Sequence, residues 1–353
     1  MRRVIHLMPY DGIGGVERAA ATAEGVSHSN VILERMFVFE TVQDRSGRRA
    51  TFNPLTLWKA AGRLARAQPD LVVLSLWRAV LVGGIARLRG CRAPMVLFLH
   101  NARDAHRLDK IITRAAAQRV IAIWADSAKS LEERLPHSPN RPARIISYLL
   151  DRPTAVRGPQ PDPKPDLIFW GRLAAQKDPL RMLAVFAHLH EIRPDATLTV
   201  IGPDGGLEAA LRADIARRGL QSSVTLTGPL PREEIGDLAG QASFYLQTSR
   251  HEGMALSIVE AMQAGLVPVV TPVGEIGRYT QDGINAVWIA LDGPRADVIA
   301  AERIGALLNA PHAWQALRAS AVCALNDQPI YSEDIIMAAL EILDTNEAIE
   351  SSK

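Results

Sequence analysis

Short apolar segments alternate with longer amphipathic segments along the chain. In the first half, the short segments are rich in aliphatic and β-branched residues and predict strands at Val4–Met8, Val31–Phe39, Leu71–Leu76, Met95–His100, Val120–Ala125 and Ile145–Leu149. Segments with apolar residues at helical spacing separate most of them, including Gly15–Val26, Pro54–Ala67 and Ala79–Leu88. This alternation predicts βαβ units around a mostly parallel sheet that is buried on both faces.

A proline-rich segment at 151–166 interrupts the alternation. It has almost no apolar residues to bury, and proline is excluded from helix interiors and central strands, so we interpret it as an interdomain linker. The alternation then resumes, with strands predicted at Leu167–Trp170, Thr197–Ile201, Val224–Thr227, Phe244–Gln247, Val267–Val270 and Ala286–Ala290. Helices are predicted between them at Pro179–Glu191, Leu207–Arg218, Arg232–Ala239 and Ser257–Ala264.

These patterns predict two Rossmann-like, doubly wound α/β domains at 1–150 and 167–331. Ligands bind outside the carboxyl ends of the strands in such sheets, so we expect the domains to face each other across a cleft. The tail, 332–353, is predicted to be a helix that packs back on the N-terminal domain. Ser332 is expected to be its N-cap, and the acidic residues that follow suit a first turn.

Composition narrows the class of protein. The 353 residues are enough for two ordinary domains, and no apolar run approaches the roughly 20 residues that span a bilayer. The N-terminus leads directly into a strand without the apolar core of a signal peptide. Cys91 and Cys323 are far apart and have no metal-binding spacing. We therefore expect a cytoplasmic protein with reduced thiols.

Charge is distributed unevenly between the two halves. Residues 1–150 contain 23 Lys and Arg against 12 Asp and Glu, whereas the remainder contains 17 against 26. The first half is therefore +11 and the second −9, which gives the net charge of +2. An anionic partner for the first half is expected: a membrane surface, a lipid-pyrophosphate acceptor, or the acidic second half itself. A solvated basic helix face explains the same pattern.

Two glutamates stand eight positions apart in the second half. Glu252 lies in a loop before Gly253, and Glu260 lies on the helix that follows. A loop carboxylate and a carboxylate further along the same helix can hold two parts of one polyhydroxylated ligand. The helix N-terminus between them, at Leu256 and Ser257, presents backbone N–H groups that suit a phosphate.

Two cations follow the first strand of the second domain. The strand ends at Gly171, Arg172 comes next, and Lys177 follows just before a helix that Asp178 can cap and Pro179 can begin. A guanidinium fork and a compact ammonium at the end of a strand suit a diphosphate. A surface Arg and Lys near a helix start would look the same in isolation.

Glycines also follow the first strand of the chain. Gly14 and Gly15 lie between that strand and a helix, where backbone can approach a ligand closely. Glu17 occupies the position of the third glycine of a dinucleotide-binding fingerprint, so that motif is absent. A tight turn without a ligand is the alternative.

In this order and spacing, these blocks resemble glycosyltransferase family 4, the retaining GT-B glycosyltransferases of the group 1 type. The resemblance covers most of the chain and includes the glycine turn, the Gly171-Arg172-Leu173 and Lys177 element and the E-x7-E run. It extends to Gly202-Pro203-Asp204-Gly205, Thr227-Gly228-Pro229-Leu230, Val267–Thr271 and Asp282-Gly283. It implies the GT-B fold.

The resemblance also implies roles for individual residues. Glu252 would contact the transferred sugar and Glu260 the ribose of the nucleotide. Arg172 and Lys177 would hold the donor pyrophosphate, with the backbone at Leu256 and Ser257. Gly14 and Gly15 would face the donor phosphates from the other domain. His100 matches a position that often carries a polar residue beside the reacting sugar, although a buried strand-end histidine is also common without a function.

No cofactor is expected, and metal independence is predicted because the sequence has no D-x-D triple. The retaining outcome is implied by the resemblance alone. The chain differs from the family where Ala255 replaces a frequent Gly or Pro, and where Gly274-Glu275 replaces a frequent Gly-Gly. Glu275 would reach toward the donor or face solvent.

The leading hypothesis is an enzyme that transfers a sugar from a UDP- or GDP-sugar to a saccharide acceptor, expected to be lipid-linked, in surface polysaccharide, exopolysaccharide or lipopolysaccharide biosynthesis. Its basic first half would contact the anionic inner leaflet of the cell membrane. No nucleic-acid partner is expected. Two alternatives stay open: a soluble transferase acting on a small sugar or sugar phosphate, and a catalytically silent nucleotide-sugar-binding subunit.

Overall fold

The computed structural model describes residues 1–11, 15–28, 30–39, 53–100, 104, 106–137, 140–147, 149–151, 162–253, 255–293 and 295–351. The chain divides into two compact units. Met1–Asp151 and Pro329–Lys353 form the first, and Arg152–Gln328 forms the second. The predicted linker falls largely on residues 152–161, which lie outside the described residues.

The first domain is built on a sheet that has seven strands within the described residues. Their order is β2-β3-β1-β4-β5-β6-β7, and every pairing is parallel except that of β2 with β3. The strands are β1 (Arg2–Met8), β2 (Ser27–His28), β3 (Val31–Phe37), β4 (Leu71–Ser75), β5 (Met95–Leu99), β6 (Ala122–Ala125) and β7 (Ala143–Ile145). The helices are α1 (Gly15–Ala23), α2 (Pro54–Ala67), α3 (Leu76–Leu88), α4 (Arg107–Ala117), α5 (Ala128–Arg134) and α13 (Tyr331–Ser351).

The second domain has a six-stranded parallel sheet in the order β10-β9-β8-β11-β12-β13, counted over the described residues. The strands are β8 (Asp166–Trp170), β9 (Thr197–Ile201), β10 (Val224–Gly228), β11 (Phe244–Gln247), β12 (Val267–Val270) and β13 (Val287–Trp288). The helices are α6 (Pro179–Ile192), α7 (Glu208–Arg218), α8 (Arg232–Ala239), α9 (Leu256–Gln263), α10 (Ile276–Tyr279), α11 (Ala296–Leu308) and α12 (Pro311–Cys323). The strand order reverses between β8 and β11, where a doubly wound sheet binds its ligand.

The prediction of two doubly wound α/β domains is confirmed. The central strands β4, β5, β6, β8, β11 and β12 are almost wholly buried because helices cover both faces, as the continuous apolar runs required. The predicted cap of α6 is also confirmed: the side chain of Asp178 accepts a hydrogen bond from the backbone N–H of Arg181, and Pro179 begins the helix.

The strand predicted at Ile145–Leu149 is wrong, because β7 spans Ala143–Ile145. Ile146 still donates its backbone N–H to the carbonyl of Ala125 in β6, but the backbone of Ser147 and of Leu149 bonds to the returning C-terminal segment. Leu149 bridges Ile330 and accepts a hydrogen bond from the N–H of Tyr331. The same contacts start α13 at Tyr331, so Ser332 lies inside the helix and is buried; its predicted role as N-cap is wrong.

The helix α13 is held to the first domain by an acidic residue of its first turn. The carboxylate of Asp334, which is buried, accepts a hydrogen bond of 2.6 Å from the backbone N–H of Ser147 and one of 2.6 Å from the guanidinium of Arg144. Arg144 also contacts Glu341, which lies two turns further along the helix, at 2.6 Å. A second ion pair, Arg2 with Asp344, lies nearer the surface.

We predict that Asp334→Ala lowers the free energy of unfolding by about 2–3 kcal/mol, because it leaves the buried N–H of Ser147 without its acceptor and removes one of the two carboxylates that Arg144 contacts. The matched control is Asp344→Ala, on the same helix, whose carboxylate is 65% exposed in its ion pair with Arg2. An exposed pair contributes less than about 1 kcal/mol. Chemical denaturation of both variants measures the difference, and equal losses would contradict this account.

Candidate functional site

The candidate site in the second domain lies where β8 and β11 end, at the reversal of strand order. Parallel strands bring their carboxyl ends to one edge of the sheet, so residues distant in sequence meet there. The loop after β8 supplies Arg172 and Lys177. The loop after β11 supplies Glu252, and α9 supplies Glu260.

The carboxylate of Glu252 is held by three neighbouring side chains in the described part of the chain. Its Oε1 lies 2.7 Å from the Nζ of Lys177, and it accepts hydrogen bonds from Ser249 Oγ at 2.6 Å and Gln247 Nε2 at 3.3 Å. The side chain is only 6% exposed. The cation from the β8 loop therefore balances a largely buried negative charge at the end of β11.

Gln247 connects this carboxylate to α9. Its Nε2 donates to Glu252, while its Oε1 accepts from Ser257 Oγ at 3.0 Å and lies 2.8 Å from the hydroxyl of Tyr245. An amide can satisfy this set in one orientation only, with its NH2 toward the carboxylate and its oxygen toward the hydroxyl groups. Gln247 is fully buried, so these bonds set the direction of its side chain.

Glu260 is held by the last residue of β8. The indole Nε1–H of Trp170 donates to Glu260 Oε2 at 3.1 Å. The indole ring also packs edge-on against Tyr245, with centroids 4.5 Å apart. Burial raises the pKa of Tyr245, so its hydroxyl remains neutral at physiological pH. Glu260 and Glu252 are thus tied to the same group of side chains at the edge of the sheet.

The two cations after β8 have different surroundings. Lys177 is 17% exposed and reaches Glu252, and a Cβ built at Gly171 would lie 3.7 Å from its Cε. Arg172 is exposed, and the stem of its side chain lies beside Gly205 in the loop after β9. The structure therefore brings Lys177 and Glu252 into direct contact and leaves the guanidinium of Arg172 at the surface of the same strand end.

The start of α9 lies beside these groups. Leu256 and Ser257 form its first turn, and Ala255 precedes it with a φ of 50° and without a side-chain cap. Residues other than glycine rarely adopt this left-handed conformation, and such strain is concentrated at functional sites. The chain therefore makes this turn with Ala255, in place of the glycine or proline that the resembled family frequently has there.

Gly274 lies against the loop that carries Glu252. Its φ is +62°, and a Cβ there would lie 2.1 Å from the carbonyl oxygen of Glu252. Glu275, which follows, donates its backbone N–H to the carbonyl of Gly253 at 3.1 Å. The side chain of Glu275 does not face solvent; it is buried and contacts Arg278 at 3.3 Å. The loop after β12 thus supports the Glu252 loop through its backbone.

In the first domain, Gly14 lies outside the described residues, and Gly15 is the exposed first residue of α1. His100 follows β5 and is buried, with its Nε2 2.9 Å from Ser75 Oγ. The same hydroxyl lies 2.7 Å from the Nε2 of His6 on β1. We refer to His6, Ser75 and His100 as the histidine–serine chain. It connects β1, β4 and β5, of which β1 and β4 meet where the strand order reverses.

Both imidazoles of this chain are neutral near physiological pH. Burial lowers the pKa of His100 to about 3, and the positive charge of Arg134 adds to the shift. Burial likewise lowers the pKa of His6 to about 3, together with His100 and the positive charge of Arg35. Arg134 also holds the backbone of this region through its Nη1, 3.4 Å from the carbonyl of His100.

Over the described residues, no group of three or more His, Cys, Asp or Glu side chains could hold a metal ion. Nor does any helix in those parts of the chain combine the length and apolarity needed to cross a bilayer. Metal independence stays a prediction.

Several site residues were not predicted from the sequence: Gln247, Ser249 and Trp170 in the second domain, and His6 and Ser75 in the first. A usable signal was present for some of them. Gln247 and Ser75 are polar residues at the carboxyl ends of apolar strands, as His100 is in the predicted strand Met95–His100. His6 and Trp170 gave no such signal, because an imidazole or indole within a buried strand is usually a packing residue.

We predict that Gly274→Ala displaces the Glu252 loop and lowers the free energy of unfolding by roughly 3 kcal/mol or more, because the new methyl group collides with backbone. Gly219→Ala is the matched control: its φ is +71°, and nothing lies within 4 Å of the added Cβ. That variant has the left-handed strain alone, about 1 kcal/mol. Chemical denaturation compares the two, and similar losses would contradict a supporting role for Gly274.

Comparison with known proteins gives a family match within the second domain. Residues 154–328 match a family model described as Glycosyl transferases group 1. Two relatives are described as GDP-mannose:cellobiosyl-diphosphopolyprenol alpha-mannosyltransferases. The protein from Xanthomonas oryzae pv. oryzae (strain PXO99A) is 30% identical over 56% of this chain and 50% of its own length. That from Komagataeibacter xylinus is 32% identical over 44% of this chain and 40% of its own length. The matched regions thus span half or less of these relatives.

The fold likeness extends over the whole chain. The crystal structure of Anabaena Alr3699/HepE in complex with UDP and glucose matches 98% of this chain and 100% of its own length, with a TM-score of 0.77 and 17% identity. At this identity the likeness concerns the fold alone. The chain therefore has the two Rossmann-like domains of the GT-B fold, and its second domain matches the group 1 glycosyltransferase family.

Proposed function

We propose that the protein is a glycosyltransferase that moves a sugar from a nucleotide sugar to a hydroxyl group of a lipid-linked saccharide. The observation that carries this proposal is the contact of Lys177 with Glu252 at the reversal of strand order, 2.7 Å apart and tied through Gln247 to α9. A cation, two acids and a helix N-terminus at one strand edge are the groups that a nucleoside diphosphate sugar requires.

The donor would use these groups in distinct ways. Arg172 and Lys177 would bind the pyrophosphate, with the backbone N–H groups of Leu256 and Ser257 beside them. A lysine ammonium has three N–H donors, so Lys177 can contact Glu252 and still donate to a phosphate oxygen. Glu252 would accept hydrogen bonds from the transferred sugar. Glu260, fixed by the indole of Trp170, would accept them from the ribose.

The chemistry follows from these positions. When the bond between the anomeric carbon and the β-phosphate oxygen breaks, negative charge grows on the phosphate and the sugar becomes oxocarbenium-like. The fixed cations and helix N–H groups would stabilise that negative charge in place of a metal ion. The acceptor hydroxyl would attack on the face from which the nucleotide departs, which gives retention at the anomeric carbon. Retention and metal independence are part of the proposal.

The relatives suggest which donor to test first. Both mannosyltransferases are named for GDP-mannose and for an acceptor in which a saccharide is joined to a polyprenol through a diphosphate. The Anabaena structure contains UDP and glucose. We propose GDP-mannose as the first candidate and UDP-glucose as the second. An acceptor with a diphosphate group also suits the +11 charge of residues 1–150. Such an acceptor places the reaction in the synthesis of surface polysaccharide, exopolysaccharide or lipopolysaccharide.

We predict that Lys177→Met and Glu252→Gln each lower kcat by about 10²-fold in a transfer or donor-hydrolysis assay, because Lys177 stabilises charge that develops in the transition state and Glu252 positions the sugar that reacts. Glu260→Gln should instead raise the KM for the donor with a smaller effect on kcat, since the ribose does not react. Arg172→Ala should lower donor affinity and rate together.

The matched controls are Glu302→Gln and Arg212→Ala, exposed residues of the same domain. Both should retain full activity. Unchanged activity in Glu252→Gln and Arg172→Ala would refute the assignment of the site. Binding of GDP or UDP without turnover, against acceptors that include polyprenyl-diphosphate saccharides, would favour a catalytically silent binding subunit.

A membrane contact is the second part of the proposal, and α2 supports it. This helix has the basic residues Lys59, Arg63 and Arg66 and no acidic residue. Leu55 and Trp58, on its outer face, are 67% and 53% exposed. The guanidinium of Arg89, just after α3, lies 4.1 Å from the ring centroid of Trp58. Exposed apolar residues within a basic surface are typical of proteins that bind anionic lipid headgroups.

We predict that the double variant Leu55→Ser, Trp58→Ser lowers binding to vesicles containing anionic phospholipid by about tenfold, because it removes apolar groups that enter the headgroup region. Vesicle sedimentation measures this. Leu291→Ser with Ile299→Ser is the control: both residues are about half exposed, at 51% and 49%, in the second domain. Absence of binding by the unmodified protein would remove the membrane contact and favour a soluble transferase with a small acceptor.

A further inference from the structure

The histidine–serine chain of the first domain is a buried polar cluster that transfer of a sugar does not by itself explain. His6 and Ser75 are 0% exposed, whereas His100 retains 6%. The chain therefore runs from the interior of the sheet to the carboxyl end of β5 and is open to ligands only at His100. Phe98 packs against both rings, with centroids 4.2 Å from that of His100 and 6.2 Å from that of His6.

The hydroxyl of Ser75 is diverted from the role that its position favours. Ser75 is the N-cap residue of α3, yet its side chain makes no cap hydrogen bond. A serine at this position usually accepts a bond from the first turn of the helix. Leu76, the next residue, has a φ of 68°, a conformation that leucine rarely adopts. Ser75 therefore bonds to two imidazoles instead of capping α3, and the backbone at Leu76 is strained.

The bonds of Ser75 restrict the protons of both histidines. A hydroxyl group has one hydrogen, and both of its partners here are Nε2 atoms of neutral imidazoles. Only one imidazole can accept that hydrogen, so the other must donate an N–H to the oxygen. Either His6 donates from Nε2 and His100 accepts at Nε2, or the two histidines exchange these roles.

The surroundings of His6 select between the two arrangements. Its Nδ1 is buried and has no hydrogen-bond partner among the described residues. If His6 accepted at Nε2, its proton would be on Nδ1 and would be a buried N–H without an acceptor. If His6 donates from Nε2, its Nδ1 is an unused acceptor, which buried sites tolerate more often than an orphan N–H. The arrangement in which His6 donates from Nε2 and His100 accepts at Nε2 is therefore favoured.

We propose that His6 and Ser75 are positioning residues that hold His100 as the Nδ1–H tautomer. His6 Nε2–H donates to Ser75 Oγ, and Ser75 O–H donates to His100 Nε2, so the proton of His100 is on Nδ1. His100 then presents a neutral N–H donor at the end of β5 and is unable to act as a base through Nε2. Its partner there is an oxygen acceptor, a sugar hydroxyl or a phosphate oxygen; this last step rests on the proposed function.

The test is the imidazole tautomer, read from two-bond ¹H–¹⁵N correlation spectra of the full-length protein labelled with [¹⁵N]histidine, at neutral pH. The signals of His6 and His100 are assigned from the variants His6→Gln and His100→Gln. We expect a protonated Nδ1 and a bare Nε2 for His100, and the reverse for His6. A protonated Nε2 on His100, or a mixture of both forms, would overturn the proposal.

Two variants separate positioning from general packing. Ser75→Ala should change the tautomer of His100 and lower kcat about tenfold, with little change in the KM for the donor. Ser130→Ala, which also removes a fully buried serine hydroxyl from this domain, should change neither. If His100 keeps its Nδ1 proton in Ser75→Ala, the role of Ser75 is refuted.

Ligand titrations identify the acceptor and keep this proposal apart from the proposed function. If the partner is a phosphate oxygen, GDP or UDP without a sugar should already shift the His100 Nδ1 signal. If the partner is a sugar hydroxyl, GDP and UDP should leave the signal unchanged, and only GDP-mannose or UDP-glucose should shift it. The expected tautomer in a protein without transferase activity would sustain the histidine–serine chain and refute the function. Transferase activity with the opposite tautomer would do the reverse.

Discussion

The position of one carboxylate governs the organisation of the second domain's strand edge. Glu252 is nearly buried, so its charge requires both a cation and hydrogen-bond donors close by. Lys177 supplies the cation from the loop after β8, while Gln247 and Ser249 supply donors from the end of β11. The loop after β12 completes the arrangement with Gly274, the residue without a side chain at the point of closest approach. Three loops therefore meet at Glu252: its carboxylate joins the loops after β8 and β11, and its backbone contacts the loop after β12.

The two domains stabilise the buried polar groups at their strand ends in different ways. The second domain pairs opposite charges, which remain available to a charged ligand because Lys177 has further N–H donors. The first domain buries neutral imidazoles and joins them through Ser75, so these two rings need no counterion. The first solution suits a pyrophosphate, and the second suits a neutral group such as a sugar hydroxyl.

Much of the fold could be predicted from the sequence because each signal was local. Buried strands in a doubly wound sheet are continuous apolar runs, and the bounds of α2 and α8 follow from helical spacing with a proline or acidic residues in the first turn. The error at Ile145–Leu149 has a different origin: its backbone bonds to residues near Ile330, almost two hundred positions later. No local pattern encodes such a partner.

The sequence by itself determined the two α/β domains, the residue types at the strand ends and the spacing of Glu252 and Glu260, because these depend on periodicity and order along the chain. Only the tertiary structure decided which of those residues meet. The contact of Lys177 with Glu252, the orientation of Gln247 and the bonds of His6 depend on the order of strands in each sheet. Strand order arises from crossovers that pack whole helices, and a strand's own residues do not specify its neighbours.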